Sequence, residues 1–510
     1  MIRFIDNLLN KITMYKLVLY FLIFLLLVAL TFSFFGMLPY SPLMLILSIV
    51  TLVIICFIIN KIFSKVFKAP ANVESLYITA LILALIITPP SSLQDISYLI
   101  FIFWAAVWAM ASKYIFAIGK KHIFNPAAFA VVITAFTINQ SASWWIGTAS
   151  MMPFVLIGGL LITRKIRRFD LVFSFIIVSL LATILMHAHN FTDIFKFAYN
   201  AVVASPLLFF AFVMLTEPLT TPPTKYLRMS YGALVGAIFD PVTHLGFIYS
   251  TPELALIVGN FFSYLVSPKI KLLLKLKQKT QIANDTYDFA FASNKDEVPF
   301  RPGQYMEWTL AHRHPDSRGN RRYFTVSSSP IDEQLHIGVK FYPKASSFKK
   351  ALFNMQPNDT IVASQIAGDF TMPRNKNMRL CFIAGGIGVT PFESMISYML
   401  ARKQKRNVVM FYMNKTPADI AYKDVFEKAR TEIGINTIYA LSDQTSVPKD
   451  WNGLVGNLTG EMIVKTMPDY ENRMYYISGP RAMVVTFEDI LSKMGIPQTQ
   501  IKKDFFPGFA

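Results

Sequence analysis

The sequence predicts a multidomain chain: a polytopic all-α membrane bundle of about ten helices, an antiparallel β-barrel, and an α/β domain with a parallel sheet. Three observations carry this. Apolar residues form 54% of the chain and are concentrated before residue 268. From about 268 to 372 the pattern changes to short alternating segments, the period of half-buried strands. Beyond that, a hydrophobic strand runs directly into Gly385-Gly386-Ile387-Gly388 and then a helical stretch, the unit from which parallel sheets are built. The boundaries are placed at 1–267, 268–373 and 374–510.

In the first part, apolar stretches fall near 17–36, 41–60, 72–90, 95–112, 125–139, 150–163, 169–187, 197–215, 230–247 and 253–267. A helical span needs ~20 such residues. With the N-terminus inside, the inner loops hold Lys61, Lys65 and Lys68, then Lys113, Lys120 and Lys121, then Arg164, Lys165, Arg167 and Arg168, then Lys225 and Arg228, then Lys269 and Lys271; the outer loops hold little that is basic beyond Lys196. This alternation predicts a multi-pass protein of the cell (inner) membrane with both ends of the bundle cytoplasmic. The formal charge of +18 divides into +8 up to residue 267 (16 basic, 8 acidic) and +10 after it (33 basic, 23 acidic). Flanking positions of this kind face anionic lipid, so membrane lipid rather than nucleic acid is the expected partner. The first apolar run is read as a retained helix, not a cleaved leader.

Two inner-side segments interrupt the helical pattern: Phe124-Asn125-Pro126-Ala127-Ala128 and Thr216-Glu217-Pro218-Leu219-Thr220-Thr221-Pro222-Pro223. Proline-broken segments at related places in two halves point to an inverted repeat with a site between them; as plain structure, they are a helix start and a loop. Glu217 at a membrane edge favours use, because an ionisable group there is costly unless solvated or engaged. FNPAAFA together with TEPLTTPPT resembles the family of flavin-carrying membrane proteins shared by the sodium-translocating NADH:quinone reductase and the Rnf complex. That resemblance implies about ten helices and a second, membrane-held flavin, FMN or riboflavin. The family's S-G-A-T attachment motif is missing; the nearest stretch is Trp144-Trp145-Ile146-Gly147-Thr148-Ala149-Ser150. A non-covalent flavin or a quinone stays open.

The barrel is predicted from strands at Lys271–Lys277, Thr286–Ala292, Tyr305–Leu310, Tyr323–Ser327, Leu335–Phe341 and Thr360–Gln365, with Ser267-Pro268 as a very short linker. Residues 322–330 read RYFTVSSSP. Arg322-x-Phe324-Thr325 resembles the R-x-Y-S/T motif of the ferredoxin–NADP⁺ reductase family, and Arg301-Pro302-Gly303-Gln304-Tyr305 resembles its strand opening. By that resemblance Arg322, Phe324 and Thr325 are expected to form one surface: the guanidinium fork pairs with a diphosphate, Phe324 stacks on a flavin ring, and Thr325 bonds its N5 edge. Tyr323 belongs to the same cofactor-binding stretch. By that resemblance this part binds FAD, and Ser346 and Ser347 begin the short helix that meets the diphosphate. Phe324 stands where the family usually has tyrosine, and the glycine usual before Ser346 is missing.

In the last part, Arg379–Ala384 leads into Gly385, Gly386, Gly388, Thr390 and Pro391. Strands follow at Asn407–Tyr412, Thr437–Ala440 and Met474–Ile477, the last leading to Ser478-Gly479-Pro480. The glycines let backbone approach a pyrophosphate, and the helix start supplies N–H donors. Both turns resemble the same family's nicotinamide domain, which implies NADH or NADPH as donor. Ser478 replaces the family's cysteine beside the hydride path. Phe506, with Phe509 as the alternative, fits the C-terminal aromatic that covers the flavin; a packed terminal strand is the plain reading. Thr325, Ser478 and Phe506 are the candidate catalytic residues.

Cys56 and Cys381 are the only cysteines, which excludes a disulfide framework and an iron–sulfur cluster held by this chain's own thiolates. His122, His187, His189 and His244 form no ladder of paired haem ligands. The expected function is therefore electron transfer from NAD(P)H through FAD to a flavin, a quinone, another redox protein or another acceptor in or across the membrane part. A haem-type ferric reductase and a transporter with a redox-sensing domain are the alternatives.

Overall fold

The computed structural model describes residues 12–504 except 68–72, 93, 119–120, 188–190, 242, 247, 268–270, 294–297, 314, 317–319 and 344, together with Ile5 and Leu9. Lys68, Lys120, His189, Pro268, Lys269, Phe506 and Phe509 lie outside the described residues. The chain divides into two compact units, Met1–Ser267 and Pro268–Ala510.

The first unit is helical: α1 (Met14–Phe34), α2 (Pro42–Val66), α3 (Val73–Ile86), α4 (Ile96–Ile115), α5 (Pro126–Ile138), α6 (Met152–Ile166), α7 (Phe169–His187), α8 (Phe191–Val203), α9 (Leu207–Phe209, running on as a π-helix over Phe210–Met214), α10 (Lys225–Ala237) and α11 (Pro252–Val266). Each predicted apolar stretch overlaps a helix, but the helices are shorter than ten full spans require. Among the described residues four are long and apolar enough to cross a membrane, α1, α2, α4 and α7, or five if the pair Ile194–Val203 and Leu207–Met214, bent by 58°, is one span. The reasons are local. Asn125 caps α5, accepting from the N–H groups of Ala127 and Ala128, and Asn139 ends it in the left-handed region. Those 13 residues reach ~20 Å against a hydrocarbon core of ~30 Å. Pro206 stands in the break before α9 and cannot donate to the ladder.

Where α10 crosses α7 the backbones touch. A Cβ on Gly232 would stand 2.7 Å from the Leu171 carbonyl oxygen, and one on Gly236 2.7 Å from that of Phe175. Small residues four apart are what such an approach requires. Arg228 Nη2 meets Asp170 Oδ2 at 2.7 Å beside this contact.

The second unit holds two six-stranded sheets. The antiparallel one contains β1 (Lys271–Ala283), β2 (Thr286–Ala292), β3 (Tyr305–Thr309), β4 (Arg321–Thr325), β5 (Gln334–Lys340) and β6 (Thr360–Ala367) in the order β4-β3-β6-β1-β2-β5. Among the described residues no ladder joins the edge strands β4 and β5, so the predicted barrel is observed as an open antiparallel sheet. The ladder stops because β4 ends at Thr325; beyond it a backbone bond, Ser327 N–H to the His336 carbonyl (2.9 Å), reaches β5. Phe289, Phe291, Trp308 and Ile337 fill the core of this half, and α12 (Ser347–Phe353) follows β5.

The parallel sheet contains β7 (Arg379–Gly385), β8 (Val408–Asn414), β9 (Asn436–Leu441), β10 (Leu454–Val455), β11 (Arg473–Ser478) and β12 (Ile501–Asp504) in the order β10-β9-β8-β7-β11-β12. Helices α13 (Thr390–Ala401), α14 (Lys423–Ile433), α15 (Gly460–Thr466) and α16 (Arg481–Lys493) connect the strands. The order reverses direction at β7, between β8 and β11, and a crevice at the carboxyl ends of strands at such a point is where doubly wound sheets take ligands.

Replacing Gly236 with valine should separate α7 from α10. The expected cost is about 1–3 kcal/mol, read as a lower melting temperature of the full-length protein in detergent, with Ser230→Val as the control on the same helix.

Candidate cofactor site and a buried polar network

Register places the two glycine turns side by side. Ala384 on β7 pairs with Ser478 on β11, so Gly385–Gly388 and Ser478–Pro480 leave adjacent strands together. A Cβ on Gly388 would stand 2.5 Å from Gly479 Cα and 2.7 Å from the Ser478 carbonyl carbon. Gly386 has a φ of 51° and nothing within 4 Å of where its Cβ would stand. One turn is thus closed against its neighbour and open on its other side, the shape a phosphate-bearing ligand needs for approach to backbone. Thr390 is buried at the start of α13 and donates to the Ile387 carbonyl (3.3 Å). Ser478 is buried at the strand end.

On β4 the expected single surface divides. Arg322 and Phe324 share one side: the guanidinium lies 5.3 Å from the Phe348 ring centre, and Phe324 packs 6.0 Å from the same ring. Tyr323 faces the other way, donating from its hydroxyl to Glu307 Oε2 (3.0 Å), and strand alternation sets Thr325 with it. Thr325 is buried and pairs with Tyr305. The helix behind this strand offers an anion-accepting corner. Ser346 caps α12 by accepting from the Lys349 N–H (3.3 Å). Ser347 donates its N–H to Asp316 Oδ2 (3.0 Å), while its hydroxyl accepts from the Asp316 N–H (2.8 Å). Asp316 Oδ1 also lies 3.5 Å from Arg322 Nη2. A carboxylate therefore rests on the guanidinium and helix-start donors, and this donor set fits an anionic group such as the diphosphate of FAD. Phe506 lies outside the described residues.

A constellation that the sequence did not announce joins the two halves of this unit. His336 Nδ1 lies 2.6 Å from Asp288 Oδ2, and the Tyr422 hydroxyl donates to Asp288 Oδ1 (2.8 Å). Asp288 and His336 come from β2 and β5; Tyr422 precedes α14 in a left-handed conformation, φ 56°. Nearby, Ser394 donates to the Ser328 carbonyl (2.7 Å) and Lys340 Nζ to Asp419 Oδ1 (2.8 Å). Burial works to lower the His336 pKa, but the hydrogen bond and charge of Asp288 and the charge of Asp332 raise it overall above 6.5. Burial also pushes the Glu393 carboxyl well up, reinforced by the charges of Asp424, Asp288 and Asp332 against a lowering bond from Ser397. Alternation puts His336 outward from the core, but nothing local in the sequence pairs it with Asp288.

In the first unit, the structure brings the two proline-broken segments together. Glu217 Oε1 lies 2.8 Å from His122 Nε2, and Glu217 Oε2 accepts from Asn125 Nδ2 (3.0 Å). Asn260 Oδ1 accepts the Asn125 N–H (2.7 Å), and Asn260 Nδ2 donates to the Tyr231 hydroxyl (2.9 Å). Thr148, in the stretch nearest to the missing attachment motif, lies 3.3 Å from the Ser150 hydroxyl. Cys56 and Cys381 are both buried and free.

Residues 382–489 match the family described as the oxidoreductase NAD-binding domain. The chain is 24% identical over 234 residues to the glycine betaine monooxygenase reductase subunit of Chromohalobacter salexigens, covering 44% of this chain and 62% of that protein. It is 26% identical over 210 residues to the reductase component of propane 2-monooxygenase from Rhodococcus jostii, covering 41% and 55%. With NADH-cytochrome b5 reductase 1 of Aspergillus terreus it shares 26% over 231 residues, covering 43% and 76%. The chain thus spans less than two thirds of the first two relatives. The solved cytochrome b5 reductase domain of Ulva prolifera nitrate reductase is similar at 20% identity and a TM-score of 0.41, covering 46% of this chain and 98% of that one.

Two outcomes test this geometry. Gly388→Ala should drive the two turns apart, lowering the melting temperature and weakening NAD(P)H binding by tenfold or more, roughly 1.4 kcal/mol, as measured by titration calorimetry with each nucleotide. His336, with its pKa raised in the fold, contributes stability that is complete below its unfolded value and is lost as pH rises through the folded one. Burial also raises the carboxyls of Glu393 and Asp332, and both act in the same direction. The melting temperature should therefore fall as pH rises above 6.5, and His336→Gln should remove part of that slope.

Proposed function

We propose that the chain is a membrane-bound flavin oxidoreductase that takes electrons from NADH or NADPH through FAD to an acceptor in or across its membrane part. One observation carries the reading: the paired glycine turns at the switch point of the parallel sheet lie in the same compact unit as the Arg322 strand and its anion-accepting corner. The match to the oxidoreductase NAD-binding domain and the relatives named as NADH-dependent or monooxygenase reductases support it.

Bound FAD would accept the electron pair of a hydride and release the electrons singly. In this reading Arg322, Ser346 and Ser347 hold its diphosphate, with Asp316 displaced. Phe324, on the Arg322 side of the strand, stacks on the flavin; Tyr323 lies beside it in the same stretch, and Thr325, at the strand end, bonds the ring edge. Gly385, Gly386, Gly388 and Thr390 seat the nicotinamide nucleotide against Gly479 and Pro480. Ser478 lines the hydride path without acting as a nucleophile, and Phe506 covers the flavin face. The three-part division at 267 and 373, with the open antiparallel sheet as the FAD half, belongs to the proposal.

So does the membrane half. Ten crossings with cytoplasmic ends would match the loop charges. The likeness to the membrane proteins of the NADH:quinone reductase and Rnf complexes leaves three classes of acceptor: a non-covalent FMN or riboflavin, a quinone, or another redox protein.

The test is NAD(P)H oxidation in isolated membranes, with and without quinone, together with flavin analysis of the purified protein. Arg322→Ala should lose FAD on purification and reduce turnover by about 10²-fold or more. Gly386→Trp should keep FAD and lose turnover by blocking the nucleotide. Full activity in both variants would overturn the proposal.

A further inference from the structure

The second unit contains a cavity of about 540 Å³ that is separate from the paired glycine turns and from the Arg322 corner. One wall comes from β2 and β5, with Asp288 and His336; the other comes from the starts of α13 and α14, with Glu393, Tyr422 and Asp424. Ile282 and Ile420 add apolar surface. The volume is in the range of small-molecule sites, far more than a bare ion needs. Among the described residues no group of three His, Cys, Asp or Glu side chains is arranged to hold a metal.

Glu393 marks what the cavity is built to receive. Its side chain is 93% buried by accessible surface, at 7% exposure. Oε1 accepts from the Ser397 hydroxyl (2.9 Å), whereas Oε2 is buried and has no hydrogen-bond partner. A buried carboxyl oxygen left without a donor costs about 1–3 kcal/mol, so a ligand bringing that donor is favoured. The surrounding charge is negative at this point, since Asp288, Asp332 and Asp424 all act on Glu393 in the same sense. The nearby cations are directed elsewhere. His336 is bonded to Asp288, and Lys423 Nζ lies 5.9 Å over the Tyr439 ring.

We propose that this cavity binds a small organic cation with N–H donors, an alkylammonium or alkylguanidinium, whose charged head closes on Glu393. The apolar stem lies along Ile282 and Ile420, and Asp424 at the exposed mouth draws the cation in. This site does not depend on NAD(P)H oxidation, and its test reads binding alone.

Purified full-length protein is titrated with agmatine by calorimetry, with 1,5-pentanediol as a neutral probe of similar length. Agmatine should bind saturably with a Kd of about 10 μM to 1 mM, and pentanediol should not. Affinity should rise with pH, because pairing with the cation requires the Glu393 carboxyl, held protonated by burial, to release its proton to solvent. His336 losing its own charge as pH rises acts in the same direction. Glu393→Gln should weaken binding by about tenfold and shrink the pH dependence. Asp424→Asn, at an exposed position, should weaken it about two- to fivefold and serves if the first variant does not fold. No saturable binding of agmatine, equal binding of pentanediol, or unchanged affinity in Glu393→Gln would overturn the site.

Discussion

Gly388 lies so close to Gly479 that a Cβ between them would meet backbone at 2.5 Å, and the organisation of the C-terminal unit depends on that approach. Two parallel neighbours, β7 and β11, must end in register for their turns to meet. That requires a β7 buried on both faces, as Leu380, Cys381, Phe382, Ile383 and Ala384 are. Helices α13 and α16 then leave the same edge of the sheet, each from its own turn. The crevice follows from chain direction and the lack of side chains, before any ligand contributes.

The two sheets of this unit meet through polar contacts. Asp288 accepts from one residue of its own sheet and one from the other side, and Ser394 and Lys340 make two more links across the same boundary. Such bonds set orientation more than they add stability, because each replaces a bond to water. Charges gathered at one interface also make it responsive to pH, whereas the apolar cores on either side are indifferent to it.

Much of this was legible in the sequence where local backbone demands leave a local trace. The strand carrying Arg322, the glycine turn at 385–388 and the second turn at 478–480 are short patterns whose spacing is their geometry. The Asp288–Tyr422 bond joins residues 134 apart, and no neighbouring pattern reports it. Helix lengths were misread for a related reason. Hydropathy counts apolar residues, but Asn139 in the left-handed region ends α5, and a single residue's φ is invisible to a running average. The sharing of one surface by Arg322, Phe324 and Thr325 failed because alternation had already separated them. In the membrane half, the proline-broken segments stood out individually, and their meeting through Glu217, His122 and Asn125 required the fold.

Asp316 gives the corner at Arg322 a placeholder. The guanidinium is 1% exposed, and a charge so deep is costly unless it faces an opposite one. With the carboxylate already resting there, the buried charge is balanced within the chain itself. If the corner takes the FAD diphosphate, as proposed, loading would be an exchange of one anion for another, in which the incoming group must outcompete a tethered rival. Such a corner would hold its ligand less tightly than an empty one, and would keep its own charge balanced in the meantime.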